Sequence, residues 1–548
     1  MSPSDPRADD EAPRNSDPAV APGSLPDVQQ VLQQLQCFVD DRALLARLPD
    51  ELRNQLMATC GRLATPSREE RNAFKKERRK QRREIRREHD RALLDQTRMR
   101  TQRIELVYPT PDPNEDPRDG QRALETAAAE EVATEKAQLL EARTCYICKA
   151  EYREVHSFYD ALCPECADFN LIKRHQTADL SGRVALLTGG RVKIGYQAGI
   201  KLLRAGAHVI VTTRFPRDAA MRYAAEKDFE SWQQRLDIYG LDLRHTPSVE
   251  ALLQHIQHAY DRLDFILNNA CQTVRRPPGF YAHLMAAEEQ PYDELATGTR
   301  KLVSAYETLR QQAGSIAATA APELPHDAPE SGPAALQSPT ERPELPGLDM
   351  AASLSQVPLV AGDVDVGEHL FPEGRLDADL QQVDLRDINS WRLPLADVPT
   401  VELLEVHLVN AVAPFVFNAR LKELMLRQPG RDKHIVNVSA MEGQFYRAFK
   451  TDKHPHTNMA KASLNMMTRT SAPDYERDGI HMNSVDTGWI TDEDPIHITR
   501  LKQEEHGFHP PLDHVDAAAR ICAPIFDGFL TGKHVWGQFL KDYKPTRW

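Results

Sequence analysis

Cysteine and long apolar stretches are both scarce in this chain. Its 548 residues contain only eight cysteines, too few for a disulfide framework, which indicates a reducing compartment. No apolar stretch approaches the roughly 18 residues that a membrane-spanning helix requires, so we expect no transmembrane segment. The N-terminus also lacks the basic and apolar regions of a secretory signal. Together these absences predict a cytoplasmic protein.

Basic residues are in the minority overall but are concentrated in one segment. The net charge of −13 excludes a protein that coats nucleic acid along its whole length. Residues 68–103, however, hold 15 Lys and Arg against 7 Asp and Glu, without Gly or Pro. This composition predicts a long solvated helix within a helical region at 28–110. Two shorter helices, separated by a restart at Pro49 and Asp50, are expected before it.

The predicted basic helix has several possible roles. Its most basic part, 75–83, could be a nuclear address or could contact an acidic protein partner or nucleic acid. Nucleic acid is the less favoured partner, because aromatic side chains that stack on bases are almost absent there. The segment could equally be a charged spacer stabilised by Glu–Arg pairs one turn apart.

Two segments have a low-complexity composition. Residues 1–27 are rich in Pro, Asp, Ala and Ser, and residues from about 312 to 357 are rich in Ala, Pro, Glu and Ser. Neither can bury enough apolar surface to offset its chain entropy, so both are predicted to be disordered. The second interrupts a domain, which is tolerated because long surface insertions cost little loop entropy.

Four cysteines have the spacing of a metal site. Two Cys-x-x-Cys turns lie 14 residues apart within a ribbon predicted at 140–175. The expected ligands of a structural Zn²⁺ are Cys145, Cys148, Cys163 and Cys166. Four protein ligands leave no open position for catalysis, and four buried free thiols are the alternative interpretation. His156 lies between the two turns and is expected at the surface. Such a ribbon contacts protein or nucleic acid, or attaches a small module to its neighbour.

From about residue 179 the chain alternates between short apolar stretches and helical ones. Predicted strands lie at 183–189, 208–214, 236–243, 265–270, 434–439 and 481–485, with helical stretches between them. Continuous apolar strands that alternate with helices indicate an α/β fold with a doubly wound parallel sheet. We therefore expect a Rossmann-like, nucleotide-binding domain over 179–548.

Several motifs in this domain resemble those of the short-chain dehydrogenase/reductase family, and they occur in the same order. The resemblance covers about 179–310 and 395–548. Six features carry it. Three are a glycine-rich turn at 188–195, the acid Asp242 after the third strand and an Asn-Asn-Ala segment at 268–270. The other three are an Asn-containing helix at 410–415, Ser439 at the end of the fifth strand and a turn at 486–488 after the sixth.

The resemblance implies an NAD(P) cofactor. Glycines in the turn let the backbone approach a pyrophosphate at the N-terminus of the next helix. Arg214 follows the second strand, where an NAD enzyme would carry an acid, so NADP is favoured and NAD stays possible. Lys193 replaces the middle glycine and could either bind or crowd the phosphates. The implied cofactor-binding residues are Gly189, Arg191, Lys193, Ile194, Gly195, Arg214, Asp242, Asn269 and Lys461.

The resemblance also implies a catalytic set, and one member is missing. Asn410, Ser439 and Lys461 match the family by position, whereas Thr457 stands where the family has tyrosine. An alkyl hydroxyl is a far weaker acid than a phenol with a pKa of about 10. Lysine alone cannot tune threonine into a general acid, so the proton must come from another group if reduction occurs.

The segment between Ser439 and Thr457 offers substitutes for the missing tyrosine. It has 17 residues, more than the family usually has, and includes Tyr446. Tyr446 and Lys450 form a Tyr-x-x-x-Lys motif, which would share one face only if the segment were helical. His454 or His456 could also supply the proton, because histidine titrates near neutral pH. The alternative is a loop that only shapes or covers the pocket.

Three functions follow from these motifs. The favoured one is NADP-dependent hydride transfer to or from a small carbonyl or alcohol, with the pocket lined by residues of 272–310 and 489–512. The second is a non-catalytic NAD(P)-binding scaffold or sensor that binds partners through the zinc ribbon and the basic helix. The third is a nucleic-acid module joined to a reductase domain.

Overall fold

The computed structural model describes residues 27–114, 138–316, 345–447 and 450–548. Contacts divide the chain into two compact units, Met1–Ile85 and Arg86–Trp548. The predicted ribbon and the predicted nucleotide-binding domain therefore lie in one unit. The disorder predicted for 1–27 falls almost entirely outside the described residues.

The part of the first unit that the structure describes, from residue 27 on, is helical and has no buried core. Its helices are Val28–Asp40, Ala43–Ala46 and Asp50–Ala64, and Pro49 precedes the last of them at the predicted restart. None of the described residues up to Ile85 is buried.

The predicted basic helix is interrupted before residue 103. It spans Arg68–Asp95, and a separate short helix forms at Arg98–Gln102. The break allows Arg100 to turn inward, where it binds Asp160 at 2.7 Å and Asp95 at 2.6 Å. Between residues 68 and 88 no Lys or Arg forms an ion pair with another described residue, so the Glu–Arg pairs of a spacer are not seen. The partner-binding role of this helix stays a prediction.

The ribbon is a hairpin followed by a helix. Strand β1, Gln138–Thr144, pairs with antiparallel β2, Glu151–Glu154, and the helix Pro164–His175 follows. Pro164 begins this helix, where its missing N–H costs nothing.

The predicted doubly wound sheet is confirmed. Its strands are β3 Val184–Thr188, β4 His208–Thr213, β5 Leu236–Gly240, β6 Phe265–Asn268, β7 Lys433–Ser439, β8 Ile480–Asp486, β9 Phe539–Lys541 and β10 Lys544–Thr546. They lie in the order β10-β9-β8-β7-β6-β3-β4-β5, and every pair is parallel except β9 with β10. The order reverses between β3 and β6, the position at which such sheets bind ligands.

Helices cover both faces of the sheet and bury two apolar clusters against it. The α-helices of this domain are Lys193–Arg204, Pro216–Ala224, Phe229–Trp232, Thr246–Ala259, Pro278–Glu289, Thr297–Leu302, Ser304–Ile316, Pro346–Asp349, Thr400–His407, Ala413–Leu426, Pro455–Arg477, Ile496–His506 and His514–Thr531. A π-turn, Leu408–Val412, joins two of them.

Some strand ends differ from the prediction. The strands expected at 236–243 and 265–270 end at Gly240 and Asn268, because the chain leaves the sheet there to form the walls of a cleft. Strands β9 and β10 were not predicted, since each has only three residues and shows no clear period.

The predicted disorder of the insert is wrong for residues 345–357. Pro346–Asp349 is helical, Leu348 is fully buried in the core, and the carbonyl of Gly347 accepts a hydrogen bond from the N–H of Asp242 at 2.7 Å. Buried Leu348 and Ala351, with Leu345 packed against the core, anchor a segment whose average composition is polar. Residues 312–316 continue a helix, and 317–344 lie outside the described residues.

Among the described helices, one stretch is long and apolar enough to cross a membrane. Thr400–Leu426 has a mean hydropathy of 1.4 over its most apolar window. It carries the buried carboxylates Glu402 and Glu405, which lipid would penalise, and its residues Phe417 and Leu421 belong to the core. These features are those of a core helix.

Candidate functional site

A cleft of about 540 Å³ opens at the carboxyl ends of the central strands. Eight of the nine predicted cofactor-binding residues line it: Gly189, Arg191, Lys193, Ile194, Gly195, Arg214, Asp242 and Asn269. Lys461, the ninth, is not among the lining residues. The predicted pocket segments contribute Gln272, Thr273, Val274, Arg276, Phe280 and Tyr281 from one side and residues 490–496 and Thr499 from the other.

The floor of the cleft is the glycine-rich turn. Gly189 has φ +70°, and a Cβ there would lie 2.9 Å from the Cα of Ala270. A Cβ on Gly195 would lie 2.1 Å from the carbonyl oxygen of Gly189. No side chain caps the helix Lys193–Arg204, so its first N–H groups face the cleft. An uncapped helix N-terminus without side chains in front of it is a site for an anion.

Lys193 keeps the backbone conformation of the glycine that it replaces. Its φ is +56°, which costs a non-glycine residue about 1–2 kcal/mol. Its ammonium group has no hydrogen bond or ion pair within the described part of the chain. It lies near Asp377. Burial raises the pKa of Asp377, and the charge of Lys193 partly opposes this rise. A strained, unpaired cation at an anion site indicates a functional position.

Arg214 is the second unpaired cation in the cleft. Its guanidinium donates to the hydroxyl of Tyr281 at 2.6 Å and lies over that ring at 4.6 Å. None of the described carboxylates lies within ion-pair distance of it. Burial would raise the pKa of Tyr281, but Arg214, with Arg276 and Arg191, lowers it below its ordinary value.

Two other predicted cofactor residues are already engaged. The carboxylate of Asp242 is chelated by Arg244, with its shortest contact at 2.6 Å. Arg191 is buried and donates to Asp218 at 2.7 Å and to Gln381. These partners lie 27 and 190 residues from Arg191 in the chain, so sequence spacing could not reveal them.

Three of the predicted catalytic residues are buried and hydrogen-bonded to neighbouring groups. Asn410, in the π-turn, exchanges hydrogen bonds with the backbone of Gln272 at 2.7 and 3.1 Å. Ser439 donates to the side chain of Asn465 at 2.6 Å. Lys461 donates to the carbonyl of Val438 at 2.7 Å. None of these three residues lines the cleft.

The two candidate hydroxyl donors also lie apart from the cleft. Thr457 is 3% exposed, and its hydroxyl has no hydrogen-bond partner among the described residues. Tyr446 is 45% exposed, with its hydroxyl 3.4 Å from that of Thr546. The segment after Gly443 is not helical through 447, so Tyr446 and Lys450 do not share a helix face there. Residues 448 and 449 lie outside the described residues.

The histidines before Thr457 are fixed by neighbours from other segments. His454 stacks on Trp391 with ring centroids 3.8 Å apart. The Nε2 of buried His456 lies 3.3 Å from the carboxylate of Glu402, which is also buried. Glu402 belongs to a helix more than 50 residues earlier, and no local pattern could have linked it to His456.

The four cysteines come together as the sequence predicts. Their sulfur atoms all lie within 4.8 Å of one another, and those of Cys148 and Cys163 are 3.6 Å apart. Tetrahedral Zn²⁺ with bonds of about 2.3 Å places thiolates about 3.8 Å apart, so the residues fit the ion. Burial opposes ionisation of Cys145, yet the N–H groups of Cys163, Cys148 and Ile147 lower its pKa to about 7.

The prediction of a surface position for His156 is wrong. It is buried, its Nδ1 accepts from the N–H of Phe158 at 3.0 Å, and its Nε2 lies 3.3 Å from Asp168. The ring thus accepts hydrogen bonds from the backbone of the turn that precedes the second cysteine pair. It is therefore a structural residue of the ribbon and not an additional ligand.

Comparisons with known proteins match the nucleotide-binding part. A family model described as short chain dehydrogenase matches residues 183–320, and one described as Enoyl-(Acyl carrier protein) reductase matches residues 387–509. An uncharacterized protein of Acanthamoeba polyphaga mimivirus is 29% identical over 395 residues, which are 70% of this chain and 71% of that protein. A fatty acyl-CoA reductase of Acinetobacter baylyi is 32% identical over 98 residues, only 18% of this chain and 32% of that enzyme.

Solved structures resemble the chain only distantly. The Pseudomonas aeruginosa RhlG/NADP active-site complex is 15% identical, covers 66% of this chain and 94% of its own, and has a TM-score of 0.39, too low to support an argument. The assignment depends instead on the two matched segments, which lie in order on either side of the insert and together build the doubly wound sheet. The nucleotide-binding part of the chain, over residues 183–320 and 387–509, is a short-chain dehydrogenase/reductase domain.

Proposed function

We propose that the cleft binds NADP and that the protein is an NADP-dependent oxidoreductase of a carbonyl or alcohol, with a proton donor other than residue 457. The observation that carries this proposal is Arg214, an unpaired guanidinium at the end of β4 beside the glycine turn. A cation at that position favours the 2′-phosphate of NADP over the ribose hydroxyls of NAD.

Particular residues would hold each part of the cofactor. The N–H groups at the start of Lys193–Arg204, with the Lys193 ammonium, suit a pyrophosphate. Arg214, kept in place by Tyr281, suits a further phosphate. When bound, the nicotinamide supplies hydride transfer, and the protein orients it and excludes water.

We also propose that the ribbon holds one structural Zn²⁺. The support is the four-sulfur cluster, whose spacing suits tetrahedral thiolate coordination. Because all four ligands come from the protein, the ion contributes to folding and leaves no position for a substrate.

Arg214→Leu tests the cofactor assignment. We expect calorimetry to show that NADPH binds about 10–100-fold more weakly, because a hydrogen bond to a charged group is lost. NADH binding should change little. Arg420→Leu is the control, since Arg420 pairs with Glu250 on the surface. Equal losses for NADPH and NADH would contradict a phosphate-binding role for Arg214.

Thr457→Ala tests the source of the proton. With NADPH and a panel of carbonyl compounds, we expect turnover to fall by less than about tenfold, against the 10²–10⁴-fold that loss of a general acid costs. The reason is that the Thr457 hydroxyl is buried, weakly acidic and without a partner in the described structure. Abolished turnover in this variant, with folding and NADPH binding intact, would show that the hydroxyl takes part after all.

A second candidate is an NADP-binding protein without turnover. It is favoured by the inward orientation of Ser439 and Lys461, which are bonded to Asn465 and to the Val438 carbonyl and do not line the cleft. Bound NADPH that is never oxidised by any member of the carbonyl panel would support this candidate over the enzyme.

A further inference from the structure

The zinc ribbon shares its apolar core with both walls of the cofactor cleft. Ribbon residues Tyr152 and Leu162 belong to one buried cluster with Ile490, from the wall after β8, and Ile194 packs against the same cluster from the glycine-turn wall. Ile194 and Ile490 each line the cleft as well. Displacing the ribbon would therefore expose the back of two cleft-lining side chains.

Tyr146 makes the direct polar contact between the ribbon and this wall. It stands between the ligand positions Cys145 and Cys148, and its hydroxyl oxygen accepts the N–H of Trp489 at 3.0 Å. Its own N–H donates to the carbonyl of Ala161 at 2.9 Å, which ties the first cysteine turn to the approach to the second. The position of Tyr146 thus depends on the geometry of the metal site.

The wall that Tyr146 contacts is a loop without regular secondary structure. Gly488 has φ +82°, and residues 489–495 form neither helix nor strand although 490–495 line the cleft. Neighbouring segments also hold this loop. The N–H of Leu512 donates to the carbonyl of Trp489 at 3.3 Å, and the amide of Asn389 donates to the carbonyl of Glu493 at 2.8 Å. Arg392 pairs with Asp494 at 3.0 Å, and Lys502 pairs with Asp492 at 2.9 Å. Because the loop has no helix or sheet hydrogen bonds of its own, each contact from a neighbouring segment limits its local opening.

We propose that the ribbon supports the walls of the cofactor cleft from behind and that Tyr146 is a positioning residue that holds the loop 488–496, so that zinc in the ribbon raises the affinity for NADP. This inference rests on the proposed function for both ligands. Zinc fixes the first cysteine turn, that turn fixes the Tyr146 hydroxyl, and the hydroxyl fixes the loop through the Trp489 N–H.

Tyr146→Phe tests the inference in the full-length protein, with Tyr152→Phe as the matched control. Tyr152 is also a ribbon tyrosine, but its hydroxyl donates to the carbonyl of Asp160 inside the ribbon at 2.9 Å. In Tyr146→Phe we expect hydrogen exchange of peptides within 488–496 to be faster by about fivefold, the size of one lost neutral hydrogen bond, and NADPH affinity to fall by a similar factor. Zinc content, measured by elemental analysis, should not change. Cys148→Ser should release zinc and produce at least the same increase in exchange.

The outcomes separate this inference from the function on which it rests. Equal exchange of 488–496 in Tyr146→Phe and Tyr152→Phe would overturn the positioning role. Faster exchange without any change in NADPH affinity would overturn the coupling to the cofactor. Wild-type protein that binds neither zinc nor NADPH would refute the proposed function instead, while the exchange comparison between the two tyrosine variants would still report on the contact.

Discussion

Cys145→Ser is expected to release zinc and unfold the ribbon, the largest effect of any single substitution considered for this protein. Structural zinc sites contribute roughly 10–16 kcal/mol of apparent binding free energy at pH 7 in small zinc-binding peptides, and this binding energy is folding energy. Cys145 is fully buried and is the first of the four ligands, so serine would leave both an incomplete site and a polar group in the core. Elemental analysis should show the loss of zinc, and thermal unfolding should show a new transition at lower temperature.

The control for this substitution is Cys37→Ser, which changes an exposed cysteine in the first unit. It should retain full zinc content and the unfolding profile of the unmodified protein. A strong chelator should reproduce the effect of Cys145→Ser on the unmodified chain. If Cys145→Ser keeps one zinc per chain and unfolds normally, the four cysteines are not a zinc site.

The second large effect is expected at Arg174, on the ribbon helix Pro164–His175. Its guanidinium lies 2.6 Å from Asp513 and 3.0 Å from Asp516, and all three side chains are at most 3% exposed. Arg174→Ala leaves two buried carboxylates without their cation, and breaking such a pair costs about 3–5 kcal/mol. Urea unfolding at pH 7 measures this loss.

The pH dependence provides an internal check on Arg174. In the unmodified protein burial opposes ionisation of Asp513, but Arg174 holds its pKa below the ordinary value; the pKa of Asp516 is raised by burial. Without Arg174 both values rise, so the folded variant binds protons that the unfolded chain does not. The loss in the free energy of unfolding caused by Arg174→Ala should therefore become smaller as the pH falls from 7 toward the ordinary carboxyl range. Arg420→Ala, which breaks a surface pair, should leave stability nearly unchanged at both pH values. If Arg174→Ala lowers the free energy of unfolding no more than Arg420→Ala does, Arg174 does not stabilise the fold.

Local sequence signals placed several predicted site residues at the cleft, while their binding roles stay predictions. The glycine turn, the arginine after β4 and the Asn-Asn-Ala segment all line the cleft, because each follows directly from a strand end whose position the apolar pattern reveals. The cysteine cluster is similar, since two tight turns with fixed spacing carry the ligands. The border of the insert was misplaced, because composition averages over a window and missed the few buried apolar residues, Leu348 among them.

Features that depend on side-chain direction were not predictable. Ser439 ends β7 where expected, but its hydroxyl faces Asn465, 26 residues later, and not the cleft. Successive side chains of a strand point to opposite faces, so a displacement of one residue in a motif reverses which face the hydroxyl reaches. The pairing of His456 with Glu402 likewise required the helices to be packed first.

The sequence by itself determined the doubly wound sheet and the clustering of four cysteines, since apolar period and turn residues are local properties of a chain. Only the tertiary structure decided that the ribbon packs against residues of the cleft walls. The contact between Tyr146 and Trp489 joins residues 343 positions apart, and the bond from Arg174 to Asp513 spans 339. Such contacts arise when separately encoded elements pack their apolar faces together, and no spacing along the chain records which surfaces will meet.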